Sequence, residues 1–255
     1  MKRSAPFIVL YEDDNIVAVN KASGIAVGAD RWDPSTERLD KLLAAHLKPA
    51  HLKLEKLFII HRIDRDTSGL VVFAKNQNAH KSLSIAFESR QVKKRYIAAV
   101  RGRPVWKEMV CDLPLVPDGN KKHHTIIDKY QGKESLTRFQ LLGSAGNYSI
   151  IEAIPETGRT HQIRVHLKSL GHSIVCDEFY GNIKPVFLSA IKSNWQGDKQ
   201  KEKPLLSRLG LHAAELILPG GLILKAPISR DMAALIKQMD KCSTKPFDME
   251  SIPFN

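Results

Sequence analysis

Cysteine is scarce in this chain. The three present, Cys111, Cys176 and Cys242, are odd in number and widely spaced, and no CxxC pair occurs. Neither a disulfide framework nor a thiolate zinc site is supported. Long apolar runs are lacking as well. The N-terminal run FIVLY stops at Glu12-Asp13-Asp14, too short for a signal-peptide core. No later stretch reaches the roughly eighteen apolar residues of a membrane-spanning helix. These absences point to a reducing, cytoplasmic setting.

Missing motifs narrow the chemistry. GxGxxG and GxxxxGK[ST] are absent, which argues against dinucleotide and P-loop nucleotide binding. GxSxG and HExxH are absent too, and His61-Arg62-Ile63-Asp64 lacks the spacing and companions of a kinase loop. On a helix, His161 and His166 would lie ~140° apart, so with His172 they would not converge on a metal. His123-His124 sits in a Lys-rich loop and reads as solvated. No metal is expected. Acidic residues are the minority: Lys+Arg number 39 and Asp+Glu 27, a net charge of +12. That excess points to an anionic partner, nucleic acid first and an acidic membrane surface second. A cationic surface serving only solubility remains the plain alternative.

What is present suits a folded protein. The 255 residues are 43% hydrophobic and 26% charged, enough for a substantial core. Residues 7–11 and 16–20 read as short strands about a turn at 12–15. Residues 38–47 place Leu39, Leu42, Leu43 and His46 at helical spacing, and 70–74 (LVVFA) read as a strand buried on both faces. A helix follows over 79–90, with Asn78 as its cap. Strands are expected at 95–100, 148–154, 211–218 and 222–225, the last two joined as a hairpin by Pro219-Gly220-Gly221. A final helix covers 230–239. Residues 116–124 and 192–204 read as surface loops. Strands and helices are mixed without regular alternation, and no composition break divides the chain, so a single α+β domain is expected.

Two polar clusters stand out. The first, HRIDRDTSG at 61–69, runs straight into the buried strand, a rigid mount for chemistry. Arg62 and Arg65 flank Asp64 and would favour its carboxylate form, ready as nucleophile or base. A plain turn, with Asp, Thr67 and Ser68 bonding the backbone, explains the same residues equally well. The second cluster runs from Glu156 to Gly181. Thr157-Gly158 reads as a turn and Thr160 as the cap of a short helix reaching Leu170. Ile163, His166, Leu167 and Leu170 would share one face, with His161, Arg164 and Lys168 within ~60° on the other. Such a basic face suits a phosphate or carboxylate, although a solvated face is the commoner fate of these charges.

Together the clusters resemble the RluA-type family of pseudouridine synthases. HRIDRDTSGLVVFAK is similar to that family's HRLDxxTSGL segment, and ETGRTHQIRVHL with GHSIVCDEFYG to its TGRTHQIRVHL and GHPxxGDxxYG segments. VLYEDDNIVAVNKASGIAV, KKRYIAAVRG, KESLTRF and RLGLHAAELILP resemble its supporting stretches in order, so the similarity spans about residues 8–228. The resemblance implies one catalytic domain, a bent, mainly antiparallel mixed sheet with flanking helices and a central RNA cleft. No S4-like N-terminal segment is expected. Asp64 matches the essential aspartate, Tyr96 the tyrosine against the target base, and Arg164 the arginine that salt-bridges the carboxylate. Arg62 matches the residue inserted where the nucleotide leaves the stack. His61, Thr67, Arg159, His161 and Lys168 join it as implied substrate contacts. The family needs no metal or organic cofactor, and a monomer is expected. Ala22 and Ser173 stand where the family usually has Pro, and Cys176 where it has Gly.

The implied reaction breaks N1–C1′ of a uridine, turns the uracil and joins C5 to C1′. A glycosidase needs two carboxylates. An isomerase that keeps its leaving group needs one, with a base for the C5 proton, so a single Asp with a Tyr and an Arg fits. The target nucleotide must leave the stack, at a cost of a few kcal/mol. Lys93-Lys94-Arg95 are further candidates for phosphate contact. Trp195 could offer a stacking face, but its charged loop reads better as solvated. An RNA-binding or folding protein with a vestigial site, and a base-excising N-glycosidase, are the alternatives.

Overall fold

The computed structural model describes residues 5–29, 35–47 and 56–254. Along the chain run β1 (Phe7–Glu12), β2 (Ile16–Lys21), α1 (Leu39–Leu47), β3 (Phe58–Ile59), β4 (Ser68–Ala74), α2 (Gln77–Glu88), β5 (Lys93–Arg101) and β6 (Glu108–Cys111). There follow β7 (Leu115–Val116), β8 (Ile126–Ile127), β9 (Thr137–Ala145), β10 (Tyr148–Pro155), α3 (Gln162–Ser169), β11 (Leu211–Ile217), β12 (Ile223–Lys225) and α4 (Arg230–Cys242). The class is α+β, as the sequence suggests. Two compact units form, one from Met1–Lys94 with Ala213–Pro227, the other from Arg95–His212 with Ile228–Asn255.

In the first unit β1 and β2 pair antiparallel from Phe7↔Lys21 to Glu12↔Val17. Asp13 closes their turn, its Oδ1 accepting the N–H groups of Asn15 and Ile16 at 2.7 and 2.8 Å. This is the Asx geometry that makes Asp a turn former. β2 then pairs antiparallel with β4, from Ile16↔Ala74 to Lys21↔Gly69. Every residue of β4 is buried, which accounts for its unbroken apolar run. α2 packs on β3 and β4. Its cap is Asn76 rather than Asn78: Asn76 is extended, and its side chain accepts the Ala79 N–H at 2.9 Å. Both asparagines have the right chemistry, but Asn78 already lies in the first helical turn. β11 and β12 form the expected hairpin, with Gly220 and Gly221 at φ 84° and 85°.

In the second unit the antiparallel order is β5-β10-β9-β6. Ala98, Val100, Phe139, Ile151 and Ala153 of this sheet meet Ile163 and Leu167 of α3 in one cluster. α4 buries Met232, Leu235, Ile236 and Met239, a helical stripe, and packs on β9. β6, β7 and β8 are two to four residues long, too short for a period to show.

α3 corrects two expectations. Its first residue is Gln162, and the residue before it is His161 in the left-handed region at φ 53°. Thr160 is exposed and does not cap it. Gln162 organises the entry instead: its Oε1 accepts from the Arg159 N–H at 3.0 Å and from the Thr157 hydroxyl at 2.7 Å. Residues from Gln162 to Leu167 are all buried, so Arg164 is not on a solvated face.

Candidate active site

The loop before β4 carries His61, Arg62, Asp64 and Thr67. Arg62 is exposed and Asp64 half-buried. The backbone turns here, with the Thr67 N–H donating to the Asp64 carbonyl at 3.1 Å, so Asp64 and Asp66 do not alternate as in a strand. Arg65 faces Asp66 at 3.5 Å. Both ends of the turn are tied down. Lys21, only 1% exposed, donates through Nζ to the carbonyls of Ala22, Ile25 and Arg65 at 2.8–2.9 Å. The Ser23 hydroxyl donates to the Asp66 carbonyl at 2.6 Å, and the Gly24 N–H to that of Arg65 at 2.9 Å. At the other end Gly69, at φ 112°, passes so close to Ala213 that a Cβ would lie 2.2 Å from its carbonyl oxygen.

His61 belongs to this scaffold. Its Nε2 accepts the Val72 N–H of β4 at 3.0 Å, and its ring stacks on Phe87 at 4.7 Å. Burial, reinforced by the charge of Lys94, pushes the imidazole down to about 3. A neutral ring is what the bond requires, since Nε2 must keep its lone pair.

In the second unit Tyr96 lies on β5, paired with Ala153 of β10, and packs half-buried against the core cluster. Arg164 and Asp177 form a bidentate pair, Nε to Oδ2 and Nη2 to Oδ1, both at 2.9 Å. Arg164 is 3% exposed and Asp177 0%. Asp177 Oδ1 also accepts the N–H groups of Phe179 and Tyr180 at 3.0 Å. Burial alone would raise the Asp177 carboxyl, but the hydrogen bonds and charge of Arg164, with those two N–H groups, hold it below the usual range. The guanidinium also lies over the rings of Phe179 and Tyr180, 5.2 Å from each centroid. Asp177 therefore anchors Arg164 within its own unit. At thirteen residues' separation, only the DEFYG motif hinted at it.

Tyr180 gathers the basic residues of this region. His161 Nδ1 lies 2.8 Å from its hydroxyl, and Lys168 Nζ lies 5.8 Å from its ring centroid. His161, Arg164 and Lys168 do share a side, as the helical spacing suggests, but around an aromatic ring. Arg159 donates from Nε to the Glu134 carbonyl at 3.0 Å. A buried polar chain holds α3 against β9. His166 Nε2 lies 2.9 Å from the Leu113 carbonyl and Nδ1 3.0 Å from the Thr137 hydroxyl, which also accepts from Gln162 Nε2 at 2.9 Å. A carbonyl only accepts, so Nε2 carries the proton and Thr137 donates to Nδ1. In β5, Arg95 donates to Glu152 and to the Ser251 carbonyl, leaving Lys93 as the exposed cation of that run. Trp195 is half-buried in its loop.

Cys176 stands at φ 55°, in the left-handed region, and that is why a glycine suits the position. Its side chain is buried, with Sγ 3.6 Å from the Lys184 and Leu206 carbonyls.

The sequence profile of the RNA pseudouridylate synthase family matches residues 15–169, covering the Asp64 loop and all of α3. The class is thereby defined as an RNA-modifying isomerase. Ribosomal large subunit pseudouridine synthase D of Zymomonas mobilis subsp. mobilis is 34% identical over 96% of this chain and 71% of its own length. Dual-specificity RNA pseudouridine synthase RluA of Vibrio vulnificus is 36% identical, over 82% of this chain and 76% of that one. Human RNA pseudouridylate synthase domain containing 4 has the same fold, with a TM-score of 0.71 at 25% identity over 91% of this chain and 92% of its own. The chain belongs to the RluA-type family of RNA pseudouridine synthases. No helix among the described residues is long and apolar enough to cross a membrane.

Proposed function

We propose that the chain isomerises uridine in ribosomal RNA, transfer RNA or both, with Asp64 as the catalytic carboxylate. The observation that carries this reading is the tethered loop: Lys21, Ser23 and Gly24 bond the carbonyls of Arg65 and Asp66, immediately beside Asp64. A carboxylate on a loop fixed at this level loses little freedom on meeting substrate. The names of the relatives support the substrate class. We treat residues 1–255 as one catalytic domain, since each compact unit takes two separate stretches of chain. We expect it to act as a monomer in the cytoplasm.

The N1–C1′ bond breaks, the uracil turns, and C5 joins C1′. C5 loses a proton and N1 gains one, so no atom is added and no electron leaves. Asp64 opens the reaction, by attack on sugar or base or by taking a sugar proton. Tyr96 positions the uracil and serves the C5 proton. For Arg164 we keep the charge-holding role that the resemblance implies; its burial and bidentate anchor suit a fixed cation. Arg62, exposed beside Asp64, fills the stack that the flipped nucleotide leaves, with Arg159, His161, Lys168, Thr67 and His61 lining or supporting the RNA site. The balance calls for no water, oxidant or organic cofactor. Pseudouridine maps of total RNA from cells with and without the protein test the reading. One or a few uridines are expected to be left unmodified in cells without the protein, and identical maps would overturn the proposal.

A further inference from the structure

In the second unit, Ile126, Ile127 and Val165 wall a cavity of about 310 Å³ whose lining also includes Thr125, His124 and Lys168. That volume is at the small end of ligand sites, about 300–1,000 Å³. Three features of it point to a ligand. First, Thr125 is only 2% exposed and its N–H donates to the hydroxyl of Tyr180, another wall residue, at 2.8 Å, which sets polar groups among the apolar ones. Second, Lys168 and Lys122 are exposed cations with no carboxylate partner among the described residues. Both act on His124, whose imidazole is pushed down by burial and then by Lys122, Lys168 and Arg164, so it stays a neutral aromatic ring. Third, that ring lies 5.5 Å from the ring of Tyr180, which also lines the cavity and gives it an aromatic wall. The loop is set for this: Asn120 Oδ1 accepts the N–H groups of Lys122 and His124 at 2.9 and 3.1 Å.

Apolar walls alone would suit a hydrophobe, and cations alone an anion. A nucleotide joins the two, with a flat base, polar base edges and a phosphate. The lining includes neither Asp64 nor Tyr96, so a nucleotide held here is not the one that reacts. We propose that this cavity is a second nucleotide subsite, taking an unstacked base of the substrate RNA against Ile126, Ile127 and Val165, with its phosphate on Lys168 and Lys122. The inference rests on the RNA-modifying reading above. The Thr125 hydroxyl, both donor and acceptor, meets the base edge. Occupancy would fix the register of the strand and so help to choose which uridine reacts.

The test titrates the four ribonucleoside 5′-monophosphates, and separately inorganic phosphate, into the full chain while the methyl groups of Ile126, Ile127 and Val165 are followed by NMR. At least one mononucleotide is expected to shift all three saturably, and Thr125→Val to weaken it about fivefold, the loss of one hydrogen bond. Phosphate alone is expected to leave the three methyls in place. Lys168→Gln, an exposed change that spares the fold, is expected to reduce the salt slope of RNA binding by about one. The proposal is overturned if no mononucleotide moves the methyls, if phosphate moves them equally, or if the salt slope is unchanged. Pseudouridine formation by the unmodified protein on total cellular RNA is measured alongside. Formation without methyl shifts removes the subsite alone, whereas no formation removes the functional reading and the subsite with it.

Discussion

Replacing Asp177 with asparagine is expected to cost about 3 kcal/mol of stability. The pair it breaks is buried on both sides, Arg164 at 3% and Asp177 at 0% exposure, with two bonds of 2.9 Å. Removing one partner of a buried, bidentate pair is strongly destabilising, at about 3–5 kcal/mol. The low end applies because an asparagine carbonyl can still accept the Phe179 and Tyr180 N–H groups and one bond from the guanidinium. In a chain of this size that corresponds to a fall of roughly 6–12 °C in Tm. Urea denaturation at pH 7 and a thermal scan measure it. The pH dependence adds a second check. Asp177 has a lowered carboxyl in the folded state, so its contribution is fully present above the unfolded value of about 3.9 and is lost as pH falls through the folded value. Asp177→Asn has no such group, so the two stability curves should begin to approach each other below about pH 4 and meet only once the pH is below the folded value. A loss under about 1 kcal/mol, or curves that stay parallel into acid, would refute the view that Arg164 depends on Asp177.

Other outcomes follow from the first unit. Lys21→Met removes the ammonium donor from the carbonyls of Ala22, Ile25 and Arg65, the last of which keeps the Gly24 N–H, and is expected to cost about 1–3 kcal/mol, with faster hydrogen exchange at Gly24 and Thr67. Unchanged exchange would mean that Lys21 does not hold the loop. His61→Phe keeps the stacking on Phe87 but strands the Val72 N–H, at about 1–3 kcal/mol by denaturation. His61 also predicts a pH slope. With its folded value near 3 and an unfolded value of about 6.5, only the unfolded state takes up the proton between them, so stability falls as pH drops from 6.5 towards 3. His61→Phe should remove that part of the slope, and an identical slope would contradict the buried neutral ring. Gly69→Ala combines φ 112° with a Cβ 2.2 Å from the Ala213 carbonyl and is expected to destabilise by more than about 3 kcal/mol. A Tm within a degree or two of the parent would count against that close approach.

Much of the scaffold was legible because its signals are strong and local. LVVFA reads as a buried strand because both faces of β4 are covered, and Pro219-Gly220-Gly221 reads as a hairpin because two residues there have positive φ. Helix starts were less legible. Asn76 and Asn78 have the same capping chemistry, and only the extended backbone at Asn76 separates them. At α3 the cap-like Thr160 is bypassed, because Gln162 turns back to bond Arg159 and Thr157. Charge patterning misled in one respect. Arg164 lies at helical spacing from His161 and Lys168 and looks solvated, but the carboxylate that lets it be buried is thirteen residues away. Lys21 is a similar case, since a lysine buried against carbonyls cannot be told from an exposed one by sequence alone. The motif residues themselves were found by resemblance, because the pattern of an active-site loop repeats across a family whereas its local chemistry also suits an ordinary turn.

Asp64 is the residue on which the proposed reaction turns. Purified protein and its Asp64→Asn variant, each shown to be folded by thermal denaturation, are incubated with total RNA from cells lacking the protein, and pseudouridine is mapped position by position. New pseudouridine with the unmodified protein, and none at the same positions with a folded Asp64→Asn variant, is the predicted result. Equal modification by the two proteins would contradict the assignment of Asp64 as the catalytic carboxylate.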